Sequence, residues 1–94
     1  MDDYQKAQKE FYSLYTPLRK KCNLRLHIHF SLYEDGLIEI WEYEGEREKR
    51  LICKAAEKND TDCYKRAAED LRFYKGLMEE KSNVHSTNGN PQIL

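Results

Sequence analysis

The chain lacks most of the features that announce a chemistry. Its three cysteines, Cys22, Cys53 and Cys63, are odd in number and never fall in a Cys-x-x-Cys spacing. That excludes a small secreted domain stapled by disulfides and leaves reduced thiols acting as small hydrophobes. No Gly-x-Ser-x-Gly, glycine-rich phosphate loop or His-Glu-x-x-His motif occurs, so no conventional catalytic site is expected. No apolar run approaches the ~20 residues of a membrane span. The opening residues Met1-Asp2-Asp3-Tyr4 are acidic and polar, without the apolar core of a signal peptide. An intracellular, cytoplasmic protein is the expectation. An excess of either charge is missing too: 16 basic residues stand against 17 acidic ones. Bulk positive charge therefore does not drive nucleic-acid binding here.

What remains is enough for one modest core. Ninety-four residues that are 39% hydrophobic and 35% charged fit a single domain and not a disordered chain. Tyr4, Ala7, Phe11, Leu14, Leu18 and Cys22 recur at helical spacing over residues 3–22. Thr16-Pro17 interrupts them, which allows either one kinked helix or a helix to Tyr15 followed by a short second turn. The period then changes to two. Leu24, Leu26, Ile28, Phe30 and Leu32 alternate with Arg25, His27, His29 and Ser31, the pattern of a half-buried strand.

Glu34-Asp35-Gly36 reads as a three-residue hairpin loop with Gly36 left-handed, and Gly45-Glu46 as a two-residue turn with glycine first. These turns predict strands over residues 24–32, 37–44 and 47–54. They pair Leu32 with Ile38, Phe30 with Ile40, Ile40 with Leu51, and Ile38 with Cys53. Both turns put Leu26, Ile28, Phe30, Leu32, Ile38, Ile40, Leu51 and Cys53 on one face. Asn59 to Asp62 supply caps for a last helix with the stripe Tyr64, Ala67, Ala68, Leu71, Tyr74 and Met78. The expected fold is α+β, in the order α-β-β-β-α. A three-stranded antiparallel meander packs against helices within residues 1–81, and a disordered polar tail occupies 82–94.

The same register leaves a second face carrying Arg25, His27, His29, Ser31, Tyr33, Leu37, Glu39, Trp41, Tyr43, Arg50 and Ile52. His29 and Arg50 are expected opposite Trp41, and His27 opposite Tyr43. Aromatic, histidine and arginine side chains on an open sheet are the residue types that anchor protein interfaces. Acid gathers over residues 34–48, at Glu34, Asp35, Glu39, Glu42, Glu44, Glu46 and Glu48 against a single Arg47. Base gathers at Arg19, Lys20, Lys21 and Arg25, and again at Lys49, Arg50 and Lys54. An acidic hairpin of this kind can occupy a basic groove meant for nucleic acid. Candidate partner-binding residues are therefore Glu39, Glu42, Glu44, Glu46, Glu48, Trp41, Tyr43, His27, His29 and Arg50.

His27 and His29 share a strand face and Glu39 could approach as a third ligand, but nothing completes a metal site. No metal or cofactor is expected. The thiol of Cys63 near a helix start, served by His27, is the one nucleophile considered, and the two lie on opposite faces of the sheet.

The order helix, three strands, helix is that of the double-stranded RNA-binding domain, and Lys65-Arg66-Ala67-Ala68 resembles the start of that family's final helix. Where the family has a basic loop this chain has Glu34-Asp35-Gly36, the wrong sign for phosphate. Direct nucleic-acid binding is rejected on that ground. In architecture and in the acid run of residues 34–48 the chain also resembles small α+β proteins of phages and mobile elements, including anti-CRISPR inhibitors. That resemblance implies a non-enzymatic inhibitor that covers the surface of a bacterial defence complex. A second reading is a homodimer or assembly subunit joined through Tyr4, Phe11, Tyr12 and Tyr15 of the first helix. A small-ligand or metal sensor on the His27, His29 and Trp41 face is the third.

Overall fold

The computed structural model describes residues 2–88, with side chains as far as Glu80. Helix α1 is Asp3–Cys22, followed by strands β1 Leu24–His29, β2 Gly36–Glu44 and β3 Arg47–Glu57, and helix α2 Asp60–Asn88. The strands form one antiparallel sheet in the order β1-β2-β3, which is the α-β-β-β-α meander expected. The tail expected over residues 82–94 lies outside the described residues, apart from the helical backbone that reaches Asn88. Among the described residues no helix is long and apolar enough to cross a membrane.

Both helix starts and the end of α1 have local causes. The Asp2 carboxylate accepts from the Gln5 amide at 2.8 Å while the Gln5 side chain accepts from the Asp2 amide at 3.2 Å, a reciprocal capping box. The helix runs unbroken through Pro17. Pro17 and Ser13 are both exposed, so water can satisfy the carbonyl that the missing proline N–H leaves free. Asn23 ends α1 in the left-handed region at φ 48°. It also joins helix to sheet. Its carbonyl accepts from the Tyr43 amide at 3.0 Å, and its side-chain amide donates to the Tyr43 carbonyl at 3.1 Å. At α2 the Asp62 amide donates to Asn59 Oδ1 at 2.9 Å, as the cap candidates predicted.

Both helices pack on the same side of the sheet. The core joins Phe11, Tyr15 and Leu18 of α1 and Cys63, Tyr64, Ala67, Leu71 and Tyr74 of α2 with Leu24, Ile38, Ile40, Cys53 and Ala55 of the sheet. Ala67 and Ala68, both buried, let α2 come close. Phe11 is fully buried, with ring centroids 5.7 Å from Tyr15 and 5.4 Å from Tyr64. Burying such a ring is worth about 1.5–3 kcal/mol.

The register departs from expectation in two places. The β1–β2 ladder pairs Leu26 with Ile40, Ile28 with Ile38 and His29 with Leu37, so each β2 residue meets a β1 residue four positions earlier than predicted. Phe30 is the cause. It leaves the ladder and packs its ring 5.6 Å from Tyr64, so residues 30–35 become loop and Leu32 and Tyr33 are more than nine-tenths exposed. Because the shift is even, the faces of β1 and β2 survive it. Ile28, near the loop, is nonetheless only partly covered.

In β3 the pairing starts as predicted, with Tyr43 opposite Glu48, and is then shifted twice by single-residue bulges that skip Lys49 and Ile52. Between the bulges Leu51 lies opposite Trp41, away from the core, and Arg50 lies opposite Glu42, towards it. Leu51 is therefore exposed instead of buried, and Ile52 packs against the core instead of facing out.

Gly36 is required, for a reason other than the one expected. Gly45 takes φ +63° at the β2–β3 turn, whereas Gly36 begins a strand without a positive φ. A Cβ at Gly36 would lie 2.9 Å from Cys63 Sγ and 3.0 Å from the Phe30 ring. Gly36→Ala is expected to cost about 1–3 kcal/mol in urea unfolding. The cost should shrink in a Cys63→Ala background, where the nearest obstructing atom is gone. An equal cost in both backgrounds would contradict this account.

Candidate functional site

The face of the sheet turned away from the helices is built in rows across the strands. Arg25, Trp41 and Leu51 form one row, His27, Glu39 and Lys54 the next, and His29, Leu37 and Ala56 the third. Tyr43 stands beside them with the Arg25 guanidinium 4.5 Å above its ring, a cation–π contact. Leu37, Glu39, Trp41 and Tyr43 are half-buried and the flanking residues exposed. None belongs to the core cluster. Alternation along β2 accounts for this: Gly36, Ile38, Ile40 and Glu42 are buried and the residues between them are not.

The register moves several expected neighbours. Trp41 is flanked by Arg25 and Leu51, not by His29 and Arg50, and His27 faces Glu39, not Tyr43. His29 instead reaches the β1–β2 loop, with Nε2 3.6 Å from the Glu34 carboxylate. Among the described residues no three histidine, cysteine or carboxylate side chains converge to hold a metal ion.

Glu42 and Arg50 are not on this face at all. Glu42 is the one buried charged residue among those described. Its Oε2 accepts from the Tyr74 hydroxyl at 2.8 Å, and Arg50 Nε stands 2.9 Å from Oε1. The arginine supplies charge but no aligned hydrogen bond, so Oε1 has no hydrogen-bond donor. A buried carboxylate held this way keeps its stability only while both partners remain. Burial pushes the Tyr74 phenol well above 10.0, and Cys22 and Glu42 beside it push the same way. The acidic side chains left on the surface of the β2–β3 hairpin are Glu44, Glu46 and Glu48, all exposed, with Glu39 half-buried on the sheet. Glu46 lies 3.9 Å from Arg25, and Glu44 and Glu48 form no ion pair among the described residues.

The aromatic stripe of α1 is spent inside the chain. Phe11 and Tyr15 are buried and Tyr64 of α2 closes over them, leaving only Tyr4 and Tyr12 partly exposed. The thiols are equally occupied. Burial raises Cys53, with the Asp70 carboxylate adding to it, and burial also raises Cys63, whose Sγ donates to the Glu57 carbonyl at 3.8 Å. Neither is poised as a nucleophile.

Sequence reasoning missed Glu42 as a structural residue and missed a strip made by Leu51, Phe73 and Leu77, which are 38%, 70% and 45% exposed. A signal for the strip was present. Phe73 lies beside the apolar stripe of α2 and not on it, and a large ring there has no core to fill. No family model matches the chain, and no curated protein and no solved structure matches it either.

Tyr74→Phe is expected to lower stability by about 1–3 kcal/mol at neutral pH, by leaving Glu42 short of a donor. The alkaline limb carries a second signature. A phenol raised in the folded state ionises first in the unfolded chain, so stability falls as pH rises past 10.0. Tyr74→Phe should make that fall shallower, in urea titrations from pH 7 to 11. Separately, iodoacetamide should modify half-exposed Cys22 in the native protein and reach Cys53 and Cys63 only after denaturant is added, read by peptide mass spectrometry.

Proposed function

We propose that the chain is a non-enzymatic protein-binding module that works through the outer face of its sheet and the acidic β2–β3 turn. One observation carries this reading: both helices occupy one side of the sheet, leaving Trp41, Tyr43, Leu37 and Leu51 together on the other. Half-buried aromatics flanked by arginine and leucine are hot-spot material, because each removes much area from water at little entropic cost. Exposed Glu44, Glu46 and Glu48 at one end give the surface a direction and favour a basic partner. A basic groove built for nucleic acid has that chemistry. In its most concrete form, the proposal is a phage-type inhibitor acting in the bacterial cytoplasm. It would block an RNA-guided defence complex by occupying such a groove, as the architectural likeness to anti-CRISPR proteins implies.

The test is binding of the purified chain to a panel of RNA-guided defence complexes, with and without competing DNA. Binding should be lost as DNA is added and should weaken with salt. Substituting Glu44, Glu46 and Glu48 together by lysine should weaken it at least ten-fold, about 1.4 kcal/mol, with unchanged circular dichroism. Trp41→Ala should do the same. Binding indifferent to both variants would overturn the proposal.

A further inference from the structure

A groove runs along the outer edge of β3, between that strand and α2. Leu51, Ile52, Cys53 and Lys54 form one wall and Asp70 and Phe73 the other, around about 270 Å³. Strand β3 is an edge strand, paired with β2 on one side only, and apart from the Glu57 carbonyl, which accepts from Cys63 Sγ, none of its backbone groups bonds outside that ladder among the described residues. Beyond the second bulge its pairing is regular from Cys53 to Glu57, so the free edge there presents the N–H and C=O groups of alternate residues. An edge strand with a helix beside it is the arrangement that accepts an extended peptide as an added strand. Residues 53–57 offer roughly 17 Å of it at ~3.4 Å per residue, room for about five residues.

The side chains specify what could lie there. Phe73, on the α2 wall, is 70% exposed, and Leu77 one turn on is also open to solvent, so the helix side of the groove offers apolar contact. The edge itself is basic. Arg50 is answered by Glu42 and Glu57 by Arg66, while Arg47, Lys49 and Lys54 form no ion pair among the described residues, against one unpaired carboxylate, Glu48. Asp70, the carboxylate in the groove, is engaged by Arg66 at 3.7 Å. Pairing β3 in parallel register with the β3 of a second copy would set cations against cations, which disfavours self-association in that arrangement. An added strand carrying acid meets the opposite field.

We infer that β3 and α2 form a docking groove for an extended acidic segment of a partner protein. That segment alternates apolar residues, turned towards Phe73 and Leu77, with carboxylates turned towards Lys54 and Lys49. This surface is separate from the acidic turn, takes a partner of opposite charge, and does not rest on the function proposed above.

A random peptide library displayed on phage, selected against the immobilised full chain, tests it. Enriched peptides should alternate apolar and acidic residues. A synthetic peptide of the enriched sequence should slow amide exchange at residues 51–56. Phe73→Glu and Lys54→Glu, both at exposed positions, should each weaken it about ten-fold, whereas the triple lysine variant at Glu44, Glu46 and Glu48 should not. The inference is overturned if nothing is enriched, if the enriched peptides lack acid, or if the exchange footprint falls on Trp41 and Tyr43. It is also overturned if residues 51–56 become protected with rising protein concentration alone, since a second copy would then be the occupant.

Discussion

Phe11 lies where both helices meet, and the one-sidedness of the molecule follows from its burial. Its ring stacks on Tyr15 and leans on Tyr64, and Tyr64 in turn receives Phe30 from the end of β1. This aromatic contact fastens α1 to α2 more than to the sheet. With the helices paired, their shared apolar surface can be covered only by a single face of the strands. Everything on the opposite face is then left to water or to a partner.

The same side of the sheet contains its one buried charge. Glu42 continues the buried alternation of Ile38 and Ile40 but brings a carboxylate where leucine or valine would serve the packing. Tyr74 and Arg50 hold it without satisfying both oxygens. Such an arrangement gains little over an apolar pair in net stability. It does tie one position of β2 to one of α2 and one of β3, so the helix is keyed to a particular register of the sheet.

The order of elements, both helix starts and the split of the sheet into two faces were legible in the sequence. They rest on periodicity and capping, which are local. The faces also survived a mistaken hairpin loop, because Phe30 displaced the β1–β2 pairing by an even number. What could not be read was non-local. The departure of Phe30 depends on Tyr64, far along the chain, and the need for Gly36 depends on Cys63. The bulges at Lys49 and Ile52 moved Leu51 and Arg50 to the faces opposite those expected. Of the candidate surface, Trp41, Tyr43, His27, His29 and Glu39 were found together by alternation alone. Glu42 was mistaken for surface because an acid in a strand ordinarily faces water.

The two bulges also bear on how this sequence can change over time. Each slips the phase of β3 by one residue, and together they restore it, so only the short stretch between them is turned over. A substitution at Lys49 or Ile52 leaves that arithmetic intact. Losing either residue would remove its bulge and leave the other pairs of β3 unchanged, whereas closing a bulge with its residue kept would carry Cys53 and Ala55 to the solvent side and bring Lys54 and Ala56 under α2. Where natural variants of the chain are one residue shorter between Gly45 and Asn59, the missing position should therefore be a bulged one, with the rest of the ladder kept in register.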